Sequence, residues 1–204
     1  MAIIYNPNKR IFTLHTKHST YQMQVDSLGY LLHLYYGAKN NSSMEYVLTY
    51  ADRGFSGNPY AAGADRTYSL DALPQEFPTL GTGDYRNIAL DIKNSRGIES
   101  TNLLYKKHEI RKGKYALPGL PAVWADEAEA QTLEIVLADE NAGMEVHLLY
   151  GVLEEADVIT RSAVIRNIGP ETVTIEKAAA ACLDFVSGNY DVIRFYGKHA
   201  FERN

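Results

Sequence analysis

The sequence predicts an all-β fold in which two large antiparallel sheets pack face to face. Apolar residues recur at every second position in several segments, and turns rich in Gly and Asn separate these segments at intervals on the order of 10 to 25 residues. The strand-helix alternation that a parallel sheet requires is not visible in the sequence. A sandwich is therefore favoured over a doubly wound fold or a barrel with crossover helices.

The predicted strands show the apolar and polar alternation that is typical of a half-buried antiparallel sheet. They include residues 21–25, 133–137, 144–150, 159–165 and 173–175. Turn residues follow at 94–97, 111–114, 140–143 and 167–170, and each turn is predicted to join two strands. The second half of the chain is therefore predicted to be a meander.

Three further segments need separate predictions. Residues 124–130 have helical propensity but are predicted to form a loop, and the alanine-rich residues 177–183 are predicted to form a strand whose small side chains allow close packing. Residues 50–85 carry many Gly and Pro and are too long for a simple connection. Because long ordered loops often carry function, this segment is the first place to look for a site.

The composition excludes several functional classes. The net charge of -5 argues against nucleic acid or an anionic membrane surface as the main partner. No run approaches the roughly 20 apolar residues of a membrane span, and Cys182 has no second cysteine with which to form an intrachain disulfide. We expect a cytoplasmic protein without a cofactor, in which Cys182 is a small buried hydrophobe.

Candidate chemistry is sparse outside the long loop. His15 and His18 are close in sequence, but residues three apart on a strand face opposite sides, so no metal site is predicted. The remaining histidines are expected on polar strand faces or as hydrogen-bonded buried rings. The 15 tyrosines suit half-buried strand faces, sugar-stacking surfaces and interfaces alike.

Carboxylates, cations and aromatic rings lie side by side within the long loop. Asp52, Arg53 and Phe55 form one such group, and Asp84 and Arg86 flank Tyr85 in another. A surface of this kind can hydrogen-bond sugar hydroxyls. Alternatively, Asp52 and Asp84 pair locally with Arg53 and Arg86 or cap turns.

Several linked motifs resemble glycoside hydrolase family 36. They are GYLLHLYYG at residues 29–37, LPQEFP at 73–78, GDYR at 83–86, LPGLPA at 117–122, AQTLEI at 130–135 and VITRS at 158–162. The resemblance spans nearly all of the chain. It implies the amino-terminal β-supersandwich of an α-galactosidase, which has a galactose-mutarotase-like architecture.

The resemblance also implies what this chain lacks. A (β/α)₈ barrel needs about 250 residues, so residues 1–204 are expected to be the non-catalytic domain of a longer enzyme. The family's two catalytic carboxylates lie on barrel strands, and its Lys-Trp-Asp nucleophile motif finds no match here. No catalytic residue is therefore assigned, and the isolated chain is expected to be inactive.

The resemblance assigns partners and candidate contacts as well. The parent enzyme is expected to act on α-galactosides of the raffinose or melibiose type and to form homo-oligomers. The loop at Asp52, Arg53 and Phe55 corresponds to a segment that reaches over the sugar pocket, with Asp52 as the main candidate sugar contact. Two alternatives remain open at this point: an independent carbohydrate-binding module, and an architectural domain whose tyrosines form protein interfaces.

Overall fold

The structure is a computed structural model that describes residues 2–52, 54, 65–84, 86–185, 188, 189, 191, 193, 197, 198 and 200–202. In this part of the chain the regular structure is almost entirely antiparallel strand, with one short 3₁₀ turn at Glu45–Val47. The all-β prediction is confirmed.

Four consecutive strands form the first sheet. They are β1 (Ile3–Asn6), β2 (Ile11–His15), β3 (Ser19–Val25) and β4 (Leu31–Ala38), each paired with the next in antiparallel register. The inward residues Tyr21, Met23 and Val25 of β3 are buried, as the alternation predicts. The opposite face is covered as well, because Gln22 donates to the Ser42 carbonyl and accepts from the Met44 amide.

The second large sheet is the predicted meander. It contains β6 (Leu104–Lys112), β7 (Ala130–Asp139), β8 (Met144–Leu153) and β9 (Val158–Asn167) in sequential order. The turn at 140–143 closes the β7–β8 hairpin, where Asp139 accepts hydrogen bonds from the Asn141 and Ala142 amides. By contrast, residues 111–114 do not join neighbouring strands directly, since a loop through residue 129 separates β6 from β7.

The main core lies between the two sheets. Phe12, Leu14 and Met23 of the first sheet belong to the same buried cluster as Leu133 and Leu148 of the second. Each of these side chains is fully buried, which stabilises the sandwich by roughly 1.5 to 3 kcal/mol per large side chain. A smaller cluster at the β3–β4 end packs the long loop against the first sheet. It contains Tyr30, Leu32, Tyr68, Leu70 and Leu73.

A two-stranded ribbon completes the core. Strand β5 (Leu90–Asn94) pairs with β10 (Val173–Ala178), and a short pair of β11 (Gly197–Lys198) and β12 (Phe201–Glu202) follows. The prediction of a strand over 177–183 is wrong beyond Ala178. The ladder stops there because β5 begins at Leu90, so after the hydrogen bond from the Ala179 amide to Ala89 the ribbon offers no further pairing.

The described tyrosines are divided between the interior and the surface. The structure buries Tyr21, Tyr30, Tyr68, Tyr115 and Tyr150. Tyr36, Tyr46 and Tyr50 are among the large side chains that remain exposed. Burial in the interior therefore accounts for five of the eleven tyrosines that the structure describes.

Candidate functional site

Asp52 lies at the exposed start of the long loop and forms an ion pair with Arg66. The Arg66 Nε atom is 3.2 Å from Asp52 Oδ2, and Nη2 donates to Oδ1 at 3.3 Å. The Arg66 and Asp52 side chains keep 65% and 50% of their surface exposed. Asp52 Oδ1 also accepts a hydrogen bond from the Gly54 amide, so the carboxylate caps a turn while one side of it faces solvent.

The Arg66 end of the pair is held by a local turn. Asp65 Oδ1 accepts from both the amide and the hydroxyl of Thr67, and these hydrogen bonds lower the pKa of the exposed Asp65 carboxyl. The next residue, Tyr68, is buried, and its hydroxyl donates to Asp26 Oδ2 at 2.5 Å. The Tyr50 ring lies 6.3 Å from the Tyr68 ring. Tyr68 is thus attached directly to the β3–β4 turn, and Tyr50 packs against Tyr68.

The predicted site residues are only partly placed by these contacts. Arg53 and Phe55 lie outside the described residues. Among the described residues, the cation that pairs with Asp52 is Arg66, 14 positions further along the chain. Sequence reasoning missed Arg66, although it lies in the same loop and follows an aspartate, as Arg53 does.

Asp84 pairs locally with Arg86, as the alternative interpretation of the sequence predicts. Arg86 Nε and Nη2 donate to the two Asp84 carboxylate oxygens at 2.9 and 2.8 Å. Arg86 Nη2 also donates to the backbone carbonyls of Leu70 and Leu73, and Gln75 donates to Asp84 Oδ2. The Asp84 side chain is only 1% exposed. This pair therefore closes the base of the long loop, and the Asp84 carboxylate is not available to a ligand.

A second charged cluster lies inside the sandwich. Residues 74–76 add to the edge of β4 through the hydrogen bonds from the His33 amide to Pro74 and from the Glu76 amide to Leu31. This places the Glu76 side chain, which is fully buried, between the two sheets. Tyr21 and Tyr150 each donate a hydroxyl to it at 2.7 Å, one from each sheet.

Arg161 and His33 complete this cluster. Arg161 Nη1 lies 2.9 Å from Glu76 Oε1, and His33 Nδ1 lies 3.2 Å from Oε2. Burial opposes ionisation, yet Arg161, His33 and the Tyr150 hydroxyl together hold the pKa of Glu76 below its ordinary value. Burial, reinforced by the negative Glu76, raises the pKa of Tyr21 well above its usual value. Glu76 is an anion that joins the two sheets, and its buried oxygens have no room for substrate.

Two other histidines are hydrogen-bonded buried rings, and His199 lies outside the described residues. His147 Nδ1 lies 2.7 Å from Glu134 Oε1, and His15 Nδ1 lies 2.8 Å from the Thr20 hydroxyl. Across the described part of the chain, no group of three or more His, Cys, Asp or Glu residues has the geometry of a metal site. What the described loop offers to a ligand is therefore an exposed carboxylate and an exposed guanidinium.

These features define a class of protein: an antiparallel β-sandwich domain whose buried charges serve its own structure and whose exposed charged pair lies on a long anchored loop. The chain belongs to glycoside hydrolase family 36. The family model described as the glycosyl hydrolase family 36 N-terminal domain matches residues 29–204. The resemblance found in the sequence is confirmed.

Named relatives agree with this assignment. The chain is 81% identical over its full length to a bifunctional alpha-galactosidase/sucrose kinase of Mediterraneibacter gnavus, of which it covers 22%. It is 42% identical to the alpha-galactosidase AgaA of Geobacillus stearothermophilus, of which it covers 28%. The chain thus spans about a quarter of the length of these curated relatives.

Solved structures show the same fold. The galactosidase domain of the alpha-galactosidase-sucrose kinase AgaSK superposes with a TM-score of 0.92 over all of this chain and 28% of that one. An alpha-galactosidase from Lactobacillus brevis, 28% identical, gives a TM-score of 0.88 over 98% of this chain and 27% of that one. Among the described residues, no helix is long and apolar enough to cross a membrane.

Proposed function

We propose that this chain is the non-catalytic amino-terminal domain of a retaining α-galactosidase that removes terminal α-linked galactose from oligosaccharides of the raffinose or melibiose type. The observation that carries the proposal is the 81% identity, over the whole chain, to a relative named as an alpha-galactosidase. The catalytic carboxylates then belong to a barrel domain outside residues 1–204, and the cytoplasm is the proposed location.

In this proposal the domain contributes Asp52 to the sugar pocket. Half of the Asp52 side-chain surface is exposed to solvent, and Arg66 forms an ion pair with the carboxylate on one side. The carboxylate is therefore oriented before a ligand arrives. A carboxylate accepts two hydroxyl hydrogen bonds from one sugar ring, and charged hydrogen bonds contribute roughly 1.5 to 3 kcal/mol each. Arg53 and Phe55 of the same loop are proposed as further contacts.

The proposal is tested with Asp52→Ala in the full-length enzyme. Loss of the contact should lower kcat/KM by roughly ten- to a hundredfold, while the melting temperature stays almost unchanged because the exposed ion pair contributes little to folding. Glu99→Ala is a matched control, since Glu99 forms an exposed ion pair with Lys93 outside the loop. Unchanged kinetics in Asp52→Ala would mean that Asp52 does not contact the sugar and that the loop has only a structural role.

Self-association of the parent enzyme through this domain belongs to the same proposal. Exposed Tyr36, Tyr46 and Tyr50 are side chains of the kind that interfaces favour. Sedimentation velocity on the full-length enzyme tests the idea directly. A strictly monomeric enzyme at micromolar concentration would contradict it.

A further inference from the structure

An open groove with a volume of about 1080 Å³ lies at the end of the sandwich where β8 turns into β9. Its lining includes Ala2, Lys112, Trp124, Glu127, Glu154 and Glu155. The groove combines an apolar floor from the strand ends with carboxylates from two separate loops. A concave surface with a few convergent polar groups is the usual form of a small-molecule site.

Trp124 stands at this groove with 78% of its surface exposed. It is the single tryptophan of the sequence, and a large aromatic side chain at this exposure leaves its stacking face available to a ligand. The turn that follows it is well held: the Asp126 amide donates to Glu129 Oε2, and the Glu129 amide donates to the Asp126 carbonyl. Trp124 therefore adjoins an ordered turn.

The same turn packs against Gly113, which directly follows β6. Gly113 has a φ of +76°, and a side chain there would meet Glu127 at 3.5 Å. The Gly113 amide donates to the Ala130 carbonyl, and the Thr132 hydroxyl donates to the Gly113 carbonyl. The loop that carries Glu127 is thereby held at its end to β6 by the hydrogen bonds of Gly113.

The polar groups select the chemistry of the ligand. Glu127 and Glu154 supply acceptors, whereas Lys112 supplies a cationic donor. Two further carboxylates of the lining already have partners, since Glu129 accepts from the Asp126 amide and Glu155 lies 3.8 Å from Lys17 Nζ. This excess of carboxylates disfavours phosphate and other anions. Acceptors, one donor and a flat aromatic face suit a neutral polyol, whose hydroxyls donate to carboxylates while its C–H face stacks on the indole.

The groove is separate from Asp52. The Glu154 carbonyl accepts from the Lys17 amide, and Asp157 accepts from Thr16 and His18, so the groove adjoins the β2–β3 turn. The Asp52 loop instead attaches through Tyr68 to Asp26, at the other end of β3. Seven residues of strand place these two ends roughly 20 Å apart.

The geometry points to an accessory carbohydrate site in this groove, in which a hexose unit of a neutral oligosaccharide stacks on Trp124 and donates hydroxyl hydrogen bonds to Glu127 and Glu154. Such a site would hold an oligosaccharide at a distance from the Asp52 loop. It depends on Trp124 and its groove alone and does not require that Asp52 contact sugar.

The test is a titration of the 204-residue chain with raffinose, followed by tryptophan fluorescence. Because Trp124 is the only tryptophan, the emission reports directly on the groove. We expect a saturable change in intensity or emission maximum. Glu127→Gln, which keeps the shape of the side chain but removes its charge, should weaken binding several-fold.

Calorimetric titration extends the test to variants without the indole. Trp124→Ala should bind raffinose at least tenfold more weakly, because the stacking surface is gone. Tyr46→Ala is the matched control, since Tyr46 is 71% exposed but lies outside the groove lining. Glu99→Ala should also bind like the unmodified chain, because Glu99 lies outside both the groove lining and the Asp52 loop. The Asp52 proposal is measured by kcat/KM of the full-length enzyme, so the two proposals can fail independently.

Two results would overturn the inference. One is a fluorescence titration that shows no saturable change up to raffinose concentrations of about 100 mM, far above the millimolar range of weak sites. The other is a Trp124→Ala variant that binds raffinose normally, or that dissociates an oligomer of the chain without any effect on sugar binding. The latter outcome would make the groove a protein interface.

Discussion

Arg161 of β9 and Glu76 of the long loop form a 2.9 Å ion pair in the interior, although 85 residues separate them in the chain. Arg161 Nη2 also donates to the Glu76 backbone carbonyl, so the guanidinium holds both the side chain and the backbone of residue 76. Because Tyr21 and Tyr150 bind the same carboxylate, one residue joins the loop to both sheets.

Removing Glu76 should therefore destabilise the fold strongly. Glu76→Ala leaves Arg161 buried without its counter-charge, and breaking a buried pair in this way typically costs about 3 to 5 kcal/mol. Urea denaturation followed by circular dichroism measures the loss. Glu99→Ala, at an exposed pair with Lys93, should cost less than about 1 kcal/mol, and equal losses in the two variants would refute a special role for the cluster.

The lowered pKa of Glu76 predicts that the free energy of unfolding decreases in acid. The folded pKa of Glu76 is lowered, whereas an unfolded glutamate titrates at about 4.3. The stabilisation is therefore complete above the unfolded pKa and is lost as the pH falls through the lower folded pKa. Melting temperatures between pH 6 and pH 3 should fall less steeply in Glu76→Gln than in the unmodified chain, and parallel curves would contradict the assignment.

Asp84 and Asp52 should differ in their effects on folding. Asp84 is buried and binds Arg86 through both oxygens, so Asp84→Ala should cost about 1 to 3 kcal/mol. Asp52→Ala removes an exposed pair and should cost less than about 1 kcal/mol. Denaturation of the two variants side by side checks this order, and a reversed order would mean that Asp52 holds the loop.

Gly143 of the β7–β8 hairpin should not tolerate a side chain. Its φ is +66°, and an added Cβ would lie 2.7 Å from the Gly169 Cα. Gly97 is the control, since its φ is +79° but an added Cβ would meet nothing within 4 Å. Gly97→Ala should cost about 1 to 2 kcal/mol through the backbone alone, and thermal unfolding should show a larger loss for Gly143→Ala. Equal losses would mean that Gly169 moves aside freely.

Much of the fold could be predicted because strand alternation is a local property. Met144, Val146, Leu148 and Tyr150 are buried on one face of β8, as their spacing indicates, and the 140–143 turn closes the predicted hairpin. The error over 177–183 has a non-local cause. Whether a segment continues as a strand depends on its partner, and β5 begins only at Leu90.

The sequence by itself determined the all-β class, the meander, the membership in a glycoside hydrolase family and the candidate loop at Asp52, since alternation and linked motifs are written in consecutive residues. Only the tertiary structure decided that Arg66 pairs with Asp52 and that Glu76 is an interior anion. It also brought Trp124 to the rim of a groove that is formed by distant strand ends. These relationships depend on which segments meet after folding, because a charge is stabilised by its neighbours in space and not by its neighbours in sequence.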